Sequence, residues 1–137
     1  AWTGRPFEVV GSVLTATGRT EEELRANLAA VRERLAFYAS TPAYRPVLAQ
    51  HGWEQLHEEL HRLSLRGRWP EMAALIDDRV LDTFAVTGTV EEAAREIHRR
   101  YSGLATRVSV SLPEDAAPDL GLDVLDALRA LDRPAPR

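Results

Sequence analysis

The sequence predicts a helix-rich α/β fold built on parallel strands, and three observations carry that reading. Phe7 to Ala16 (FEVVGSVLTA) is an apolar, β-branched run without strict alternation, the habit of a strand buried on both faces. It passes through Thr17-Gly18 into a capped amphipathic helix, which makes a strand–turn–helix unit. Arg107 to Leu112 (RVSVSL) alternates cleanly, with Val108, Val110 and Leu112 on one face and Ser109 and Ser111 on the other, and another helix follows it.

Taken in order, Ala1 to Pro6 read as a loop, and Gly11 within the first strand lets a neighbouring backbone come close. Thr20 with Glu23 three residues on is a capping box, and Glu21 to Glu23 complement the helix dipole. Leu24, Leu28, Val31 and Leu35 then recur at helical spacing and mark the buried face. Phe37 to Pro46 (FYASTPAYRP) is a loop fixed by two prolines and crowded with aromatic, hydroxyl and guanidinium groups. It leads to a short helical turn over Val47 to Gln50 that ends at Gly52. Glu54 to Arg66 is a helix with Leu56, Leu60 and Leu63 inward, closed by Gly67.

Pro70 starts the next helix, whose apolar face is Met72, Leu75, Ile76 and Val80 with Asp77, Asp78 and Arg79 outward. Leu81 to Thr87 fits a helix end or a short extended piece equally well. Thr89 with Glu92 repeats the capping device ahead of a helix carrying Val90, Ala94, Ile97 and Tyr101. Asp119 to Leu131 is the last helix, with Leu122, Leu125 and Leu128 in register.

At 137 residues and 45% hydrophobic, the chain suffices for one domain with a real core. That domain spans residues 1–132, with 133–137 as a disordered tail. A net charge of −4 gives no support to a nucleic-acid partner or an anionic membrane. The absence of cysteine excludes disulfides, thiolate zinc sites and cysteine nucleophiles. No apolar run approaches the roughly 20 residues of a membrane helix, so a soluble cytoplasmic protein is the default. Residue 1 is Ala and the only methionine is Met72, so the chain reads as processed or as part of something longer.

Three features bear on chemistry. His57-Glu58-Glu59-Leu60-His61 fits H-E-x-x-H, which in a zinc hydrolase supplies two ligands and a general base. The leucine stripe of that helix puts both histidines at its solvent-facing border, and no third ligand follows, so a wet helix face is favoured and no metal is assigned. Gly18 and Gly88 each precede a helix N-terminus, the geometry that binds phosphate, but the glutamates already there oppose an anion. Ser40, Thr41, Tyr44 and Arg45 form the best polar cluster. Arg45 either clamps an anion or caps the preceding helix, and Tyr44 either stacks on a ring or packs.

Read together, EVVGSVLTATG, AFYASTPAYRPVL, HGW, LSLRGRW, ALIDDRVLDTFAVTGTVEEAAREI and RVSVSLP resemble the C-terminal portion of the luciferase-like monooxygenase superfamily. More narrowly, they are similar to its actinobacterial oxidoreductases that use the deazaflavin coenzyme F-420. The likeness covers residues 7–113, and AFYASTPAYRPVL and IDDRVLDTFAVTGT are its most specific parts.

The resemblance implies the C-terminal part of a (β/α)8 TIM barrel. Phe7 to Ala16 would be its seventh strand and Arg107 to Leu112 its eighth, with inserted helices between. A complete barrel takes about 250 residues, so six strands are expected elsewhere. It also implies hydride transfer between coenzyme F-420, with FMN as the alternative, and a small organic substrate. Most cofactor contacts would come from the absent strands, which leaves the catalytic residues unassigned and this piece inactive alone. The cofactor- or substrate-binding contribution expected here is Thr15, Thr17, Ser40, Thr41, Tyr44 and Arg45. Exposed strand edges would pair with the N-terminal barrel portion or with further copies of the chain. The rival readings are a truncated homologue serving as a binding or assembly module and, less favoured, a zinc hydrolase.

Overall fold

A computed structural model of the chain describes Gly4 and residues 7–134. The loop expected at Ala1 to Pro6 and the tail at 133–137 fall largely outside those residues.

Among the described residues there are three strands, one more than the pattern predicts: β1 (Val10–Gly18), β2 (Val86–Thr89) and β3 (Arg107–Ser111). They form one parallel sheet in the order β2-β1-β3. Leu81 to Thr87, open between two readings in the sequence, is divided between both of them. A helix runs over Asp78–Phe84, and β2 starts two residues later. Four residues of V-T-G-T are too short for any periodicity to register. The first strand also begins later than its apolar run: Phe7 is 72% exposed, and Val9 and Val10 are exposed too. Burial on both faces therefore holds for the second half of β1 and not for its start.

The helices are α1 (Glu21–Ser40), α2 (Arg45–Ala49), α3 (Glu54–Ser64), α4 (Trp69–Ala74), α5 (Asp78–Phe84), α6 (Val90–Tyr101) and α7 (Leu120–Leu131). A single 3-10 turn at Pro42–Tyr44 links α1 to α2. The sequence pattern runs α4 and α5 together. The structure breaks them at Asp77, whose side chain accepts from the Val80 N–H at 2.9 Å and caps a new helix. The cap at Thr20 accepts from the Glu23 N–H at 3.1 Å, and Thr89 accepts from the Glu92 N–H at 3.2 Å, as the capping boxes predict.

Side chains of β1 alternate between two cores, because successive Cβ atoms of a strand point to opposite faces. Ala16 and Leu14 join Val31, Leu35 and Ala36 of α1 and the buried faces of α2 to α5. Val13 joins Val86 of β2, Ala93 and Ile97 of α6, and Leu120 and Val124 of α7. Helices thus cover both faces of the sheet. The buried face of α7 is Leu120 and Val124, with Leu128 packed beside them as expected, while Leu122 points outward. Gly11 meets a side chain rather than a backbone: a Cβ there would lie 2.8 Å from the Tyr101 ring.

Two contacts fix the layers. At Gly18 a Cβ would stand 2.3 Å from the backbone N of Leu24, so the end of β1 abuts the first turn of α1 with no room for a side chain. Across the molecule, Arg100 of α6 donates to the Asp82 and Ala85 carbonyls at 2.6 and 3.1 Å and to Glu96 at 2.7 Å. Arg99 adds two bonds to Glu96 at 2.9 and 2.6 Å. Hydrogen bonds from Arg99 and then Arg100 hold the Glu96 carboxyl at a pKa of about 2.

Gly18→Ala is expected to destabilise the chain by about 2 kcal/mol, since backbone atoms on both sides must move. Urea unfolding checks it. Because the folded carboxyl of Glu96 titrates below its unfolded value, its contribution is complete above the usual carboxylate range and fades as pH falls toward about 2. In Glu96→Gln the loss of stability over that acid window should be shallower, as read from melting curves against pH.

Candidate functional site

The six residues expected to bind cofactor or substrate divide between the two ends of the sheet. Thr15 and Thr17 lie at the carboxyl end of β1. Ser40, Thr41, Tyr44 and Arg45 lie past the far end of α1, a helix of 20 residues and therefore about 30 Å long. That far end packs against Val80 and Phe84, just ahead of where β2 begins. The structure brings the members of each group together and keeps the two groups apart.

In α/β sheets ligands sit outside the carboxyl ends of the strands. Here that end is a depression of about 490 Å³ lined by Gly18, Arg19, Thr89, Glu91, Asp123 and Asp126, among others. Thr15 and Thr17 lie behind it, both fully buried. The Thr15 hydroxyl donates to the Val13 carbonyl at 3.0 Å. The Thr17 hydroxyl has no hydrogen-bond partner among the described residues. Asn27, itself buried, donates to the Thr17 carbonyl at 2.8 Å and ties α1 to the strand exit.

Arg19 crosses the depression to α7 and pairs with Asp119 at 3.0 Å and Asp123 at 2.6 Å. These bonds raise the Arg19 pKa, Asp123 first, and in turn hold the Asp119 carboxyl below its usual range. Both sequence-adjacent helix starts carry glutamates, and at Gly88 the Glu92 carboxylate lies where a Cβ would be, 2.5 Å away. The depression is lined by Glu91, Asp123 and Asp126, and its lining cation, Arg19, is already engaged, while Arg34 donates to Ser111 at the end of β3 at 3.3 Å. Sequence reasoning missed the Arg19 network because its two acids follow a hundred residues later.

At the other end the polar side chains hold the loop. Ser40 and Thr41 donate to the Phe37 carbonyl at 2.7 and 3.2 Å. Arg45 pairs with a carboxylate of its own chain, Glu58, through a single contact at 3.4 Å. Tyr44 packs on Tyr38 with ring centroids 5.6 Å apart.

The H-E-x-x-H histidines are not a wet face: His57 is 4% exposed and His61 is half-buried. His57 Nδ1 lies 2.7 Å from the Ala39 carbonyl and His61 Nδ1 lies 3.1 Å from that of Ser40. A carbonyl only accepts, so each Nδ1–H donates, and together they cap the last turn of α1. The leucine stripe could not show this, because the acceptors belong to another helix. Among the described residues, no three His, Cys, Asp or Glu side chains converge to hold a metal.

Comparison with known proteins places this geometry in context. The family model described as luciferase-like monooxygenase matches residues 1–107. An uncharacterized protein of Mycobacterium bovis is 52% identical over 102 residues, and so are uncharacterized proteins of two Mycobacterium tuberculosis strains. The match covers 74% of this chain and 30% of each relative, so the chain spans under a third of their length. No solved structure matches it.

His57→Leu should cost about 1–3 kcal/mol, the penalty for leaving the buried Ala39 carbonyl without a donor. Added zinc should not shift the melting temperature of the unaltered chain. Thermal unfolding with and without the metal checks both.

Proposed function

The chain belongs to the luciferase-like monooxygenase family, and we propose that it is the C-terminal part of an oxidoreductase of that family that uses coenzyme F-420. The reaction would be hydride transfer between the deazaflavin, or FMN in its place, and a small organic substrate. The family match over residues 1–107 is the observation that carries this reading.

In it, β1 and β3 are the last two strands of a (β/α)8 barrel. They pair in parallel from Val10↔Arg107 to Leu14↔Ser111, as barrel neighbours do. On the opposite edge of β1, β2 occupies only Thr15 to Gly18, so Val10 to Leu14 remain open to a preceding strand. The acidic strand exits argue that a coenzyme phosphate is held by the remaining barrel and not by this portion. Thr17 lies beneath the mouth in this reading, fully buried with an unpartnered hydroxyl. The deazaflavin supplies the hydride chemistry when bound; this chain supplies one wall of the mouth.

A second reading, a non-catalytic binding or assembly module, is favoured by one observation. The chain's own helices cover both faces of its sheet.

Calorimetric titration with coenzyme F-420 and with FMN separates the two. A longer protein carrying this segment should bind F-420 saturably and transfer hydride, while the 137-residue chain alone should bind neither coenzyme. A longer protein that binds neither would overturn the oxidoreductase reading in favour of the module.

A further inference from the structure

The proline-fixed loop after α1 borders a half-open pocket that lies away from the strand exits. Its volume is about 170 Å³, and its lining is entirely apolar. Leu35, Leu48, Val80 and Phe84 form its walls, and Tyr38 and Tyr44 stand at its rim, both exposed. An apolar cavity of about 150 Å³ stays dry and takes up benzene. The pocket here has a similar volume but is about half open to solvent, through the tyrosines.

A soft surface would close over such a gap, because each empty wall forfeits dispersion contacts. This one is braced. Pro42 opens the 3-10 turn and Pro46 opens α2, which limits the backbone on both sides of Tyr44. Ser40 and Thr41 spend their hydroxyls on the Phe37 carbonyl, Arg45 is drawn to Glu58, and His57 and His61 clamp the end of α1. Arg34 lies over the Tyr38 ring, 5.9 Å from its centroid. These hydrogen bonds and ion pairs hold the loop at the mouth in place.

We propose that this cavity is a binding site for a small uncharged hydrocarbon group, a single aromatic ring or a branched alkyl of similar size. The site lies apart from the depression at the strand exits. The inference does not depend on the oxidoreductase reading.

The test uses the 137-residue chain, with toluene as probe and benzoate as its charged counterpart, followed by NMR shifts and circular dichroism. Toluene should bind saturably at one site per chain, and benzoate should not bind there. Ala39→Leu and Val80→Phe fill the void from opposite walls, so whichever folds should weaken toluene binding by about tenfold or more. Tyr44→Ala removes an exposed ring at the rim and should admit naphthalene, which the unaltered chain excludes. Equal toluene binding by a folded filled variant, or no saturable binding by the unaltered chain, would overturn the proposal. So would a dimer by light scattering in which a second copy's side chain occupies the cavity and toluene is shut out.

Discussion

The fit of β1 against the first turn of α1 is the constraint on which the rest of the structure depends. Gly18 lets the strand end press on the Leu24 backbone, and Asn27 holds the neighbouring Thr17 carbonyl. With that junction fixed, α1 must lie across one face of the sheet. The same strand then sends Val13 the other way, toward α6 and α7. Two cores arise from one strand because its side chains alternate, and neither core survives a slip of one residue in its register.

That arrangement also divides the molecule chemically. At the strand exits, acidic helix starts and the Arg19–Asp119–Asp123 network give a polar, negative surface. At the opposite end of α1, a braced loop borders a wholly apolar pocket. Aromatic and hydroxyl residues close together in sequence therefore serve different ends. The tyrosines frame a space, while the hydroxyls hold the backbone that carries them.

Local signals were legible in the sequence, and long-range ones were not. Thr20 with Glu23 and Thr89 with Glu92 mark their helix starts because both partners lie within one turn. Val108 and Val110 announce β3 and its inward face by alternation alone. By contrast, β2 has four residues, and Asp77 caps α5 inside what the apolar spacing reads as one helix. His57 shows the same limit more sharply. Its burial is decided by the Ala39 carbonyl at the end of a different helix, so its own helix gives no hint. Thr15 and Thr17 lie inside β1, near its carboxyl end, and both are fully buried, which their own polarity does not announce.

The partners of β1 are staggered: β3 pairs with Val10 to Leu14 and β2 with Thr15 to Gly18, so no residue of β1 is paired on both sides. The sheet is a staircase and not a plank. Its two steps are joined only through the covalent backbone between Leu14 and Thr15 and through the helices lying across them. Strain on either outer strand is therefore borne by one half of the central strand while the other half keeps its register.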